Sequence, residues 1–261
     1  MDLLIVCLTA LAASALTLVS GFGLGTLLTP VFALFFPIET AVGATALVHL
    51  ANNLFKTGLV GRHAHWPVVL RFGLPAALAA FVGAAALVSV ASLSPLATYE
   101  AWGETRAVMP VKLVVGTLIV AFAVLELSPR AAAWAVPARY LSWGGALSGF
   151  FGGLSGNQGA LRTAFLIKAG LSKEAFIATG VLCAVIVDVA RLSVYGGSAV
   201  ATRFDALPSG GARLVVAACL AAFAGAWLGA RAMRKLTLRG VQLVVAAMMM
   251  AVGAALAAGL I

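Results

Sequence analysis

The residues best able to do chemistry in this chain are few and sit in unexpected places. Asn157, Gln158 and Gly159 precede Arg162 in a run that also holds Gly149, Gly152, Gly153 and Gly156. Asp188 stands three residues before Arg191, so a helix would put acid and base on one face, close enough to pair. His49 stands four residues before Asn53 and seven before Lys56. Amides, a guanidinium and glycine-freed backbone N–H groups are all hydrogen-bond donors. Arg adds a planar fork suited to the oxygens of a sulfonate, sulfite or carboxylate. A helix opening near Gly159 would point its positive dipole end at the glycine run. The chemistry these types support is the holding of a small anion.

The elements around them are apolar. The chain has 261 residues, 63% hydrophobic and only 10% charged, against about 25% charged in soluble domains. Leu3 to Ile38 carries no charge at all. A membrane crossing needs about 20 apolar residues, so the sequence reads as an integral membrane protein with the lipid bilayer as its solvent. Ala, Leu and Gly dominate and two-residue alternation is weak, which predicts helices rather than strands. The net charge of +9 gathers in short loops, which is a topology signal rather than a nucleic-acid footprint. Cys7, Cys183 and Cys219 have no paired spacing, so neither a disulfide frame nor a metal site is expected, and no cofactor is called for. Met1-Asp2 lacks a basic n-region, which argues against a cleaved leader.

Eight apolar segments follow. Leu3–Phe36 is too long for one ordinary crossing, since it would reach about 51 Å as a helix across a core of about 30 Å. It is interrupted at Gly21-Phe22-Gly23-Leu24-Gly25, and the segment Tyr140–Ile167 is interrupted between Gly152 and Gly159. Both read as helix–break–helix hairpins. The other six, 41–60, 68–91, 111–127, 175–195, 212–230 and 240–261, suit single crossings. Arg62 and Arg71, Arg130 and Arg139, and the cluster Arg231, Arg234, Lys235 and Arg239 mark three cytoplasmic regions. The loops near Glu100, Glu104 and Arg106, and near Arg203 and Asp205, then lie outside. This alternation works only if the segment 140–167 returns to its starting side.

The chain also echoes itself. Ser20-Gly21-Phe22 recurs as Ser148-Gly149-Phe150, and Ala41-x-x-x-Thr45 as Ala175-x-x-x-Thr179. The expected architecture is an all-α polytopic membrane protein. Residues 1–130 form one repeat of a broken-helix hairpin plus three transmembrane helices, and 131–261 form a second, inverted one. Inverted repeats with broken helices mark secondary transporters. The site expected at the breaks takes Gly23, Gly25, Thr26, Thr45, Asn53, Gly156, Asn157, Gln158, Gly159, Arg162 and Thr179 for substrate. His49, Lys56, Asp188 and Arg191 are candidates for coupling or gating with a proton or cation. The bland alternatives are close helix packing for the glycines, a structural Asp188–Arg191 pair, and Lys56 and Arg191 snorkelling from helix ends. Lys56, Arg162 and Arg191 against Asp188 leave the spans positive, which favours an anionic substrate.

Gly21-x-Gly23-x-Gly25 with Pro30, followed by Ala41-x-Gly43-x-Thr45, resembles the N-terminal pattern of the sulfite exporter TauE/SafE family. That resemblance implies a multi-pass inner-membrane permease for sulfite, sulfonates, sulfoacetate-like compounds or related organic anions. A passive anion channel is the alternative the residues leave open. Gly153-Leu154-Ser155-Gly156 also matches the Gly-x-Ser-Gly element of rhomboid proteases, but a serine nucleophile needs a base, and no His follows His65.

Overall fold

A computed structural model describes residues 2–20, 24–128, 135–197, 210–232 and 239–261. The chain forms α1 (Asp2–Ser20), α2 (Leu24–Phe32), α3 (Ile38–Val60) and α4 (Trp66–Ala91), then a two-stranded antiparallel hairpin of β1 (Ala97–Ala101) and β2 (Glu104–Val108). It continues as α5 (Pro110–Leu127), α6 (Leu141–Ser155), α7 (Gly159–Leu166), α8 (Lys173–Gly196), α9 (Gly210–Ala232) and α10 (Arg239–Ala257). Local chemistry sets several starts. Pro67 and Pro110 sit in first turns, where the missing N–H costs nothing. Ser172 caps α8 by accepting from Ala175 N at 3.2 Å.

The strands correct the all-helical expectation. Ala97–Val108 is short and polar enough to be read as a loop, yet Trp102-Gly103 both take positive φ, which suits a tight two-residue turn. The β-hairpin packs on the C-terminal end. Tyr99 Oη donates to Ala258 O at 2.7 Å, and Arg106 Nη1 to Leu260 O at 3.0 Å.

Three helices among the described residues are long and apolar enough to cross a membrane: Trp66–Ala91, Lys173–Gly196 and Gly211–Gly229. The remaining spans expected as single crossings are shorter or more polar. α5 has 18 residues and α10 has 19, while α3 is interrupted by His49, Asn52, Asn53 and Lys56.

Packing has the character of helices in lipid, where association gains nothing from burying large apolar groups. α4 turns Leu70, Leu74, Leu78, Phe81 and Val82 outward and keeps Gly73, Ala76, Ala80, Gly83 and Ala84 inside. Gly145, Gly149 and Gly153 of α6 lie directly on the carbonyls of Phe72, Ala76 and Ala80, so that a Cβ at any of them would collide with α4. Gly225 and Gly229 of α9 sit the same way on the carbonyls of Leu11 and Ala15 in α1. α5 and α10 meet through Gly116 and Gly253, each against the other's carbonyl. Besides these, α3 packs on α8, α4 on α8, and α9 on α3.

Candidate functional site

α6 ends one turn after Gly152, where Gly156 adopts φ +82°, a left-handed backbone open to glycine. The break is therefore Gly156-Asn157-Gln158 and not the whole stretch from Gly152. Gly152 and Gly153 are helical. Gly156 N still bonds Gly152 O at 3.1 Å, and α7 starts at Gly159 without a side-chain cap. The two hairpin tips abut. A Cβ on Gly25 of α2 would lie 2.7 Å from Gly156 O and 3.7 Å from Thr45 Cγ2. A Cβ on Gly156 would lie 3.4 Å from Thr29 Oγ1 and 3.1 Å from Arg191 Nη1.

Around this junction lie buried polar atoms without a hydrogen-bond partner among the described residues: Thr29 Oγ1, Thr45 Oγ1, Asn157 Oδ1, both terminal atoms of Gln158, and Arg162 Nη1. Leaving such groups unmet costs roughly 1–3 kcal/mol each, more when charged. The other polar groups of the tip are engaged internally. Asn157 Nδ2 donates to Ser155 Oγ at 3.3 Å, and Ser148 Oγ to Gln158 O at 3.1 Å. Arg162 rests on α8 at Gly180, whose Cβ position is 3.6 Å from Arg162 Nε.

A second cluster adjoins the first. Arg191 grips Asp188 Oδ1 through Nε at 3.0 Å and Nη2 at 2.7 Å, and donates Nη1 to Gly152 O at 3.2 Å. Tyr195 Oη donates to Gly153 O. α8 thus caps the carbonyl end of α6, satisfying groups the helix leaves open. Asp188 Oδ2 lies 2.6 Å from His49 Nδ1 and 3.4 Å from Asn53 Nδ2. On the far side of α3, Asn52 is oriented with its nitrogen donating to Ala222 O at 3.2 Å and its oxygen accepting from Lys56 Nζ at 3.1 Å.

The predicted residues therefore divide. Gly25, Thr45, Gly156, Asn157, Gln158, Gly159 and Arg162 gather at or beside the junction. Gly23 and the side chain of Thr26 lie outside the described residues, as do Gly21 and Phe22 and the loop charges Arg130, Arg203, Asp205, Arg234 and Lys235. Asn53 faces the His49–Asp188 pair. Thr179 accepts from His65 N at 3.0 Å, joining α8 to the start of α4. Lys56 and Arg191 do not snorkel. They are 4% and 0% exposed, held by Asn52 and by Asp188 with Gly152 O. In the Ser-Gly-Phe echo, Ser148–Phe150 lies inside α6, before its break, while Gly21 and Phe22 lie outside the described residues. Ala41-x-x-x-Thr45 and Ala175-x-x-x-Thr179 do occupy matching turns, both near the starts of α3 and α8. Thr29, with Thr26 a polar group of the first break, joins the junction, and Tyr195 adds to it from outside the expected set. Nothing in the sequence marks Tyr195.

The rhomboid-like serine has no base. Ser155 Oγ donates to Phe151 O at 3.1 Å, and His49 is committed to Asp188. Membrane helices broken at abutting tips around polar, cationic side chains define a membrane transport protein rather than an enzyme. The family described as sulfite exporter TauE/SafE matches residues 6–256, nearly the whole chain, and the protein belongs to that family of transporters. No curated protein matches the chain.

Proposed function

We propose that the protein is a secondary transporter for a small organic or sulfur oxyanion of the sulfite/sulfonate class. It acts in the inner membrane by alternating access around the junction of the two hairpin tips. The observation that carries this reading is the group of unmet buried donors: the Thr29 and Thr45 hydroxyls, Gln158 Nε2 and Arg162 Nη1. An anion with three oxygens would take the Arg162 guanidinium, the Gln158 amide, the threonine hydroxyls and the free N–H groups at the start of α7. Each of the three nitrogens of Arg191 already donates to Asp188 or to Gly152 O, whereas Arg162 has a nitrogen left for the anion.

The helix pairings favour an inverted repeat of residues 1–130 and 131–261. The first helix of each half packs on a helix of the other: α1 on α9, and α6 on α4. The corresponding pairs α3–α8 and α5–α10 pack on one another, the latter through reciprocal glycines. Two halves that exchange their hairpins in this way can rock about a shared centre.

Purified protein in proteoliposomes tests the reading. Uptake of labelled sulfite or methanesulfonate should saturate and should be accelerated by the same anion loaded inside. Ohmic current without saturation or counterflow would make the protein a channel. No flux and no binding of any sulfur oxyanion would overturn the site.

A further inference from the structure

His49 and Asp188 form a buried pair that the anion site does not use. Asp188, gripped by Arg191, is a carboxylate and can only accept. The 2.6 Å contact therefore fixes the hydrogen of His49 on Nδ1 and leaves Nε2 as the open nitrogen. Asn53 Nδ2 is the one polar atom near Nε2 among the described residues, at 3.5 Å, and it lies closer to Nδ1, at 3.1 Å, so Nε2 itself has no strong partner. The charges facing the ring are Asp188 and Arg191 on α8, with Arg162 on α7 acting over a longer range. Lys56 lies further along α3 itself. α2 carries no ionisable residue, and the middle turns of α1 and α9, which also flank α3, carry only the thiols Cys7 and Cys219.

With His49 neutral, Asp188 and Arg191 cancel, and two basic side chains remain inside the bundle: Lys56, held by Asn52, and Arg162, which an anion can neutralise. A proton on Nε2 would add a further positive charge beside Arg162. That state is costly in an apolar interior when the anion site is empty, and much less so when it is filled. We infer that His49 Nε2 is the binding site of a coupling proton, taken up together with the anion held at Arg162. This rests on the anion reading above and names the ion that accompanies it.

The proton and the anion then raise each other's affinity, as linkage requires. The two sites are joined structurally. Asp188 binds Arg191, and Arg191 binds Gly152 O one turn before the Gly156 tip. Asn53 is a positioning residue, whose amide must turn its oxygen to the ring when Nε2 gains hydrogen. The sign follows from His chemistry: the proton is bound on the acid side of the imidazole transition and lost as pH rises through it, so anion affinity should rise as pH falls.

Calorimetry on the detergent-solubilised full chain tests this, with methanesulfonate as probe because its own charge is constant between about pH 6 and about pH 8. Titrations in two buffers of different ionisation heat count protons. The expected result is uptake of about one proton per anion and affinity about tenfold higher at the acid end. His49→Gln, which keeps an amide donor for Asp188 but cannot titrate, should bind with a flat pH profile and no proton uptake. Replacing the exposed loop residues His63 and His65 by Gln should leave the uptake unchanged. Binding without proton uptake in the wild-type chain overturns the inference while the anion site stands, and this count does not depend on any variant. Undiminished uptake in His49→Gln likewise overturns it. Absence of methanesulfonate binding at every pH removes the anion site, and this linkage with it.

Discussion

At the scale of single residues, the two guanidiniums within the bundle have opposite roles, although the sequence places both in apolar segments. Arg162 has a terminal nitrogen with no partner among the described residues, whereas every nitrogen of Arg191 has one. Arg162→Ala should therefore leave the fold intact and weaken anion binding by about 100-fold, the scale for truncating a buried charged contact; equal affinity in a titration would refute its role. Arg191→Ala should instead act on stability. It strands the Asp188 carboxylate and uncaps Gly152 O, a loss of roughly 3–5 kcal/mol for breaking a buried pair. A marked fall in the melting temperature of the detergent-solubilised protein is the expected readout, with or without ligand.

At the scale of elements, glycine position matters more than glycine number. Gly149 lies on the Ala76 carbonyl, so Gly149→Ala would push α6 away from α4 and displace the hairpin that carries Asn157 and Gln158. Lower thermal stability and weaker anion binding should appear together. Gly58, inside α3, has nothing within 4 Å of its Cβ position. Gly58→Ala should stabilise by up to about 1 kcal/mol through helix propensity and leave transport unchanged. Comparing the two melting temperatures separates close packing from mere tolerance of glycine.

At the scale of the whole molecule, basic residues of several loops meet at one end of the bundle. Arg71 Nη2 donates to Arg139 O at 3.3 Å, Ser142 Oγ donates to Arg71 O at 3.2 Å, and Thr179 meets His65. This brings the loops before α4, α6 and α8 together. Trp66 and Trp143, next in sequence to these loops, are exposed, and Arg231 stacks 3.6 Å over the exposed Trp227, as interfacial aromatics do. The β-hairpin and the end of α10 form another end. Cysteine placed at Arg62 should react with an impermeant thiol reagent only from the cytoplasmic side, and cysteine placed at Trp102 only from the other side. Labelling of both from one side would break the proposed topology.

Composition alone determined that this chain lives in a bilayer as helices, because a lipid solvent demands long apolar stretches and internally satisfied backbone. The glycine interruption at Gly156, the Asp188–Arg191 pair and the His49–Asn53 spacing were also legible, since each depends on residues within about a turn of one another. Contacts between distant segments were not. That Gly25 rests on Gly156, that His49 answers Asp188 across 139 positions, and that Arg191 caps α6 instead of reaching water are outcomes of which helices pack together. The same distinction explains the unforeseen β-hairpin. Local pattern sets what each segment can form, but only the packed bundle decides which polar groups find partners, and so which ones, like Arg162 Nη1, are left for a ligand.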